Sequence, residues 1–318
     1  MKNRTILWIF LAFILGFVLP VCSCAGTGLL ALNTLGGMAG GPATPTVGLG
    51  DAVAVIRLNG AITSGPLDYF TPTGITPNRT DDLLKQAAAN SAIKAVVLRV
   101  NSPGGSVVAS DEIYHALQDF EKPIVIWMGD MAASGGYYIS CGGDYVFAHP
   151  GTLTGSIGVI SQFINAEELM DEIGVNVVVV TSGPHKDIGS PFREMTEEEQ
   201  SLWEGITGEI YEGFVELVAQ ARDLPVKEVR ELADGSVYTG QQAQELGLVD
   251  AVGTPKDAID KAAELGGIEG QPDVIELKLT PSFFEAIQGI QSHSRIPTLN
   301  QLLSWAGAPS VQYRFAGP

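Results

Sequence analysis

Five short apolar runs stand out between Asp51 and Leu265. They are Val53–Leu58 (VAVIRL), Ala95–Val100 (AVVLRV), Pro123–Met128 (PIVIWM), Tyr145–Ala148 (YVFA) and Val175–Val180 (VNVVVV). Each is bounded by turn residues and most are rich in β-branched side chains, which predicts buried strands. Between them the apolar spacing changes to that of helices. Thr80-Asp81-Asp82 reads as a helix start leading into Leu83, Leu84 and Ala87–Ala89, and a second helix after the turn Asn101–Gly105 carries Ile113 and Leu117. Thr196 and Glu199 have capping-box spacing, and Leu202, Ile206, Ile210, Phe214, Leu217 and Ala221 then recur at helical intervals. Thr254-Pro255 with Asp257 marks another helix start. Strand, Gly-rich turn and helix in succession, with no fixed-period repeat, predict an α/β layered domain.

The N-terminal end has a different pattern. No charged residue occurs from Thr5 to Gly50, and Thr5–Leu19 is almost wholly aliphatic and aromatic behind Lys2 and Arg4. Run as a helix to Cys22, this stretch spans roughly 27 Å, close to a bilayer's hydrocarbon thickness. It exceeds the usual length of a signal-peptide core, so a retained single-pass anchor is favoured over a cleaved leader. The basic residues put the N-terminus in the cytoplasm and the body across the cell membrane. Val21-Cys22-Ser23-Cys24 loosely resembles a lipobox. The expected organisation is an anchor over 1–25, a Gly/Pro-rich tether over 26–50, a body over 51–270 and an extension over 271–318 to which no role is assigned.

Of the 318 residues, 45% are hydrophobic and 17% charged, too apolar for a disordered chain. Asp and Glu number 36 against 18 Lys and Arg, a net charge of −18 that disfavours nucleic acid as a partner. Three cysteines exclude a disulfide-stapled scaffold, and Cys141, the one in the body, reads as a buried small apolar residue.

Met131–Tyr138 (MAASGGYY) is the most informative stretch. It puts Ser134 among tiny neighbours where a buried strand turns into a helix, where free N–H groups favour negative charge. The bland alternative is an N-capping serine. Asn101–Gly105 is a second Gly-rich strand end, and the two turns together are able to supply paired backbone donors for an oxyanion. A serine nucleophile needs a base. His149 with Asp144 or Asp130 is one trial partner set, with His115, His185 and His293 the remaining histidines. Lys186 is the other option, because a lysine becomes a general base when desolvation favours its neutral form.

These residues resemble the signal peptide peptidase A family of membrane-anchored Ser-Lys proteases, in its short single-domain form. The matching motifs are Asn101–Gly105, Met131–Tyr138, Thr152–Val159 (TLTGSIGV), Ser182–Arg193 (SGPHKDIGSPFR), and Tyr238–Gly240 with Ala243–Asp250. The resemblance implies that Ser134 is the nucleophile and Lys186 its general base. It also implies that the Gly135 and Gly105 amides form the oxyanion hole, with Gly104 the alternative to Gly105, and that Ser156 orients the lysine amine. It further implies a ClpP/crotonase-like fold of stacked β-β-α units behind a transmembrane helix, and a homo-oligomeric ring, commonly an octamer, in which Lys186 serves either its own copy or a neighbour's serine. No metal or cofactor is implied. The expected substrates are apolar peptides at the membrane, notably cleaved signal peptides, added as a strand to an exposed edge. The rival readings are a catalytically silent membrane-protein scaffold of the same fold and, more remotely, an acyl-CoA enzyme doing enolate chemistry.

Overall fold

The computed structural model describes residues 50–65 and 74–279, with the backbone of 311–314. The expected membrane helix and tether, and most of the chain beyond Pro281, lie outside the described residues. Among the described residues no helix is long and apolar enough to cross a membrane.

The strands are β1 (Ala52–Asn59), β2 (Ile93–Ser102), β3 (Gly104–Ser106), β4 (Ile124–Ala133), β5 (Tyr145–Ala148), β6 (Leu153–Gly155), β7 (Ile160–Ser161), β8 (Val237–Thr239), β9 (Ala251–Val252), β10 (Asp273–Leu277) and β11 (Val311–Arg314). The helices are α1 (Pro77–Ala89), α2 (Val107–Gln118), α3 (Gly135–Ser140), α4 (Glu167–Glu172), α5 (Glu197–Arg222), α6 (Val226–Leu232), α7 (Gly240–Glu245) and α8 (Pro255–Leu265). The main sheet runs β10-β1-β2-β4-β5-β9, every neighbour parallel. β4 is long enough to pair twice: Val125–Met128 lie beside β5, and Met131–Ala133 lie beside β6, which in turn pairs antiparallel with β8. β10 places residues 273–277, within the expected extension, at the edge of this sheet.

The continuous apolar runs follow from burial of the sheet on both faces. Ala54, Ile56, Val96, Leu98, Ile124, Ile126 and Met128 face one core, shared with Leu83, Ile113, Tyr137, Phe214 and Val218. The alternate residues Val53, Val55, Ala95, Val97, Val125 and Trp127 face α8, packing on Ala258, Ala262 and Ala263.

Two local expectations need correcting. α1 begins before Thr80, because Thr76 caps it through Arg79 N–H at 3.3 Å and Pro77 suits the first turn; Thr80 is interior, its hydroxyl donating to the Thr76 carbonyl at 3.0 Å. Val175–Val180 is neither a strand nor buried: Val178 is 79% and Val180 91% exposed. Its composition suits a strand, but no other described strand lies beside it to satisfy its backbone. The capping box of α5 is complete, Thr196 Oγ1 accepting from Glu199 N–H and Glu199 Oε2 accepting from Thr196 N–H, and α8 starts with the same device at Thr254 and Asp257.

Candidate active site

Ser134 lies between the end of β4 and the start of α3. A capping serine would spend its hydroxyl on an N–H of the first turn. Ser134 makes no such bond, and its backbone is held at φ 54°, ψ −117°, a conformation a non-glycine residue adopts only under constraint. The constraint is visible: Ser134 N–H donates to the Gly155 carbonyl at 2.7 Å, and its own carbonyl accepts from Tyr138 N–H at 2.8 Å. The residue is 1% exposed.

Ser156 stands beside it through the sheet. β4 and β6 are parallel with Ala133 opposite Gly155, so Ser134 and Ser156 each follow the last paired residue of neighbouring strands. Both have positive φ, 54° and 49°, and Ser156 is held through its N–H to the Ser236 carbonyl at 2.7 Å. Two hydroxyls are thereby delivered to one end of the sheet.

The Gly-rich turn closes on the same point. A Cβ placed on Gly135 would lie 3.2 Å from both Gly104 Cα and Gly105 N, so the start of α3 and the β2–β3 turn touch backbone to backbone. Gly135, first residue of α3, carries one of the N–H groups that a helix cannot satisfy internally. Gly104, at φ 92°, donates its N–H to Ser102 Oγ at 3.1 Å. That bond turns the Gly104 amide away from new acceptors and leaves Gly105 as the better candidate donor of the pair.

Lys186 is placed differently from the other site residues. It lies in a run of turns over 183–190 and is exposed, so the burial expected to favour its neutral form is absent within one protomer. Among the described residues the Ser134 and Lys186 side chains share no hydrogen bond. The histidine alternatives fare no better. His149 Nδ1 accepts from Gly151 N–H at 3.1 Å, and the Asp144 carboxylate accepts from Ile124 N–H at 2.7 Å, so that His-Asp pair is not formed. His115 lies beside Asp111 on the exposed face of α2, and His185 lies 3.7 Å from Glu198. Cys141 is buried, which pushes its thiol up to about 12 and removes it as a competing nucleophile.

Sequence reasoning missed the ion-pair network next to Lys186. Arg193 binds both carboxylate oxygens of Asp187, at 2.9 and 2.8 Å, and both of Glu199, at 2.8 and 2.5 Å. The Glu199 carboxyl is drawn from its ordinary 4.5 down to about 2, first by the Arg193 hydrogen bonds and then by Thr196 N–H; Asp187 is lowered by the same guanidinium. A depressed carboxyl contributes stability that is complete above its unfolded value and is lost as pH falls through the folded one. Glu199→Gln is therefore expected to flatten the fall in thermal midpoint between pH 4.5 and about 2, measured against wild type across that window. An unchanged acid limb would show that the pairing contributes nothing to folding.

The chain matches the model of peptidase family S49 over residues 116–269 and that of Clp protease over 74–154. A Synechocystis sp. protein assigned as a protease is 48% identical over 58% of this chain and 66% of its own length. An Enterococcus faecium protein assigned as a signal peptide peptidase SppA is 34% identical over 83% of this chain and 81% of its own. Protease 4 of Salmonella typhi is 40% identical over 69% of this chain, which spans only 35% of that longer protein. A solved structure of a mutant 1510-N membrane-bound stomatin-specific protease aligns with TM-score 0.47 and 16% identity over 73% of this chain and 99% of that one. With relatives matched over most of their length and a mixed α/β body carrying a ClpP-like region, the chain belongs to peptidase family S49, the signal peptide peptidase A family of serine proteases.

Proposed function

We propose that the protein hydrolyses peptides through a Ser134–Lys186 dyad completed by assembly of several copies. The observation that carries this reading is the uncapped, conformationally forced Ser134 hydroxyl set against the touching Gly135 and Gly104–Gly105 backbones. In the neutral form Lys186 takes the Ser134 hydroxyl proton as Oγ adds to the peptide carbonyl. The Gly135 and Gly105 amides hold the oxyanion, and Ser156 hydrogen-bonds the amine. The lysine then returns its proton to the leaving amine, and water hydrolyses the acyl-enzyme. No metal or cofactor takes part in these steps.

Assembly supplies what one protomer lacks. Lys186 is exposed, and the unpartnered valines 177–180 precede it by a few residues. A second copy docked on this apolar run buries both the run and the amine, and burial favours the amine's neutral form. A homo-oligomeric ring, octameric by the family resemblance, is the assembly we propose.

Substrate binds as an added strand. β11 lies antiparallel between β3 and β7, Tyr313 opposite Gly105 and Gln312 opposite Ile160, so the slot beside the Gly-rich turn takes an extended backbone, here the chain's own. The substrates we propose are apolar peptides, cleaved signal peptides among them, met at the cell membrane by a body that an N-terminal single-pass anchor over 1–25 holds on the extracytoplasmic side. A fluorophosphonate probe on the full-length assembled protein is expected to label Ser134, mapped by peptide mass. Absence of label, or label on another serine, would remove the nucleophile assignment.

A further inference from the structure

The 183–190 segment has little of its own to hold it. Its internal bonds are turn bonds, Lys186 N–H to the Gly183 carbonyl at 3.2 Å, Ile188 N–H to His185 at 3.3 Å and Ser190 N–H to Asp187 at 3.0 Å. Outside these turns, Gly189 lies against the Phe163 ring and His185 lies 3.7 Å from Glu198, but the bidentate ties to the folded body run through one guanidinium. Arg193 grips Asp187, the residue after Lys186, with one pair of donors, and Glu199 with another. Glu199 is fixed in turn: its side chain is 2% exposed and it completes the capping box at the start of α5. A continuous path thus runs from a 26-residue helix through Glu199 and Arg193 to the peptide unit beside Lys186.

We infer that Arg193 is a positioning residue for Lys186, fixing the lysine-bearing turn on α5 and keeping the neighbouring Asp187 carboxylate away from the lysine amine. This rests on Lys186 being the base. Both tasks follow from the chemistry of the fork. Its planar donors bind two carboxylates at once, which a lysine in its place would not do. An unengaged carboxylate one residue from a basic amine favours the amine's charged form, which accepts no proton. Both Asp187 oxygens are engaged by Arg193, and the Asp187 side chain is 19% exposed while Lys186 reaches solvent.

The two tasks give an ordering that a simple brace would not. Arg193→Gln loosens the turn and frees Asp187. Asp187→Asn loosens the turn but removes the carboxylate. In the assembled full-length protein, Arg193→Gln is expected to lower kcat by about 100-fold with KM changed less than about threefold, and Asp187→Asn to lower kcat by about tenfold. Arg193→Gln with Asp187→Asn together is expected to recover to the level of Asp187→Asn alone, while Arg193→Lys stays impaired. If the double variant instead falls below both single ones, the network is only a brace and the inference is wrong. If both single variants keep wild-type kcat while Lys186→Ala is inactive, the inference is wrong but the dyad stands. If Lys186→Ala keeps turnover, the dyad itself fails. Should Arg193→Gln not fold because Glu199 is left buried without its cation, Glu199→Gln is added to every chain and the same ordering is read on that background.

Discussion

Lys186→Ala and Ser134→Ala are each expected to lower peptide hydrolysis by about 10⁴-fold or more, and the double variant to be no worse than either, because a nucleophile and its base act as one unit. Neither change should disturb folding. Lys186 is exposed in the protomer, and Ser134 makes no capping bond whose loss would loosen α3. Mixing the two inactive chains separates a dyad within one copy from a dyad across two. In a co-assembled equal mixture, a base donated by a neighbour restores roughly a quarter of wild-type turnover, since some sites pair an intact serine with an intact lysine from the adjacent chain. A base acting in its own chain restores none. The exposed valines beside Lys186 favour the first outcome. Full turnover in either single variant would end the Ser-Lys account.

The strands β1, β2, β4 and β5 were readable from the chain because they are buried on both faces, whereas the short or exposed β6, β8, β9 and β10 were not. Ile124–Met128 and Ala95–Val100 need no polar alternation, so their apolar runs stand out. The α5 start was readable because both arms of a capping box are written in Thr196 and Glu199. Val175–Val180 misled for the same physical reason that made the others legible: β-branched composition reports suitability for a strand, while the existence of a strand also needs a neighbour to bond. Composition also left open whether Ser134 was a nucleophile or a cap; the missing cap bond speaks against the cap, and the nucleophile is the proposal that remains. Arg193 closes the motif that begins at Ser182, but its two carboxylate partners bracket it six residues away on either side: Asp187 lies in a turn with no periodicity, and Glu199 is legible only as the capping-box residue of α5. The slot filled by β11 left no sequence signal, since a peptide strand is held there by backbone pairing rather than by residue type.

The oxyanion role proposed for the Gly135 and Gly105 amides allows a test in which no hydrogen-bond donor is removed. Gly135→Ala keeps its N–H, yet the new Cβ would lie 2.7 Å from Ser110 Oγ and 3.2 Å from Gly104 Cα and Gly105 N. The hydroxyl can rotate away, but the glycine backbone opposite cannot move without the strand that carries it. The two amides proposed as donors are therefore forced apart, and a misplaced donor is lost to the transition state almost as fully as a deleted one. We expect kcat to fall by about 10²–10³-fold while KM stays near wild type. Overpacking of this kind costs about 1–3 kcal/mol of stability, visible as a lower thermal midpoint. Adding Ser110→Ala relieves the closest contact, so it should restore much of the stability but little of kcat. Gly105→Ala is the harsher companion. Its Cβ would meet the Ile62 carbonyl oxygen, a backbone atom, at 2.0 Å, and that chain is expected not to fold. If Gly135→Ala keeps wild-type kcat, or if Ser110→Ala restores kcat along with stability, the touching of the two turns is packing alone and the oxyanion must be held elsewhere.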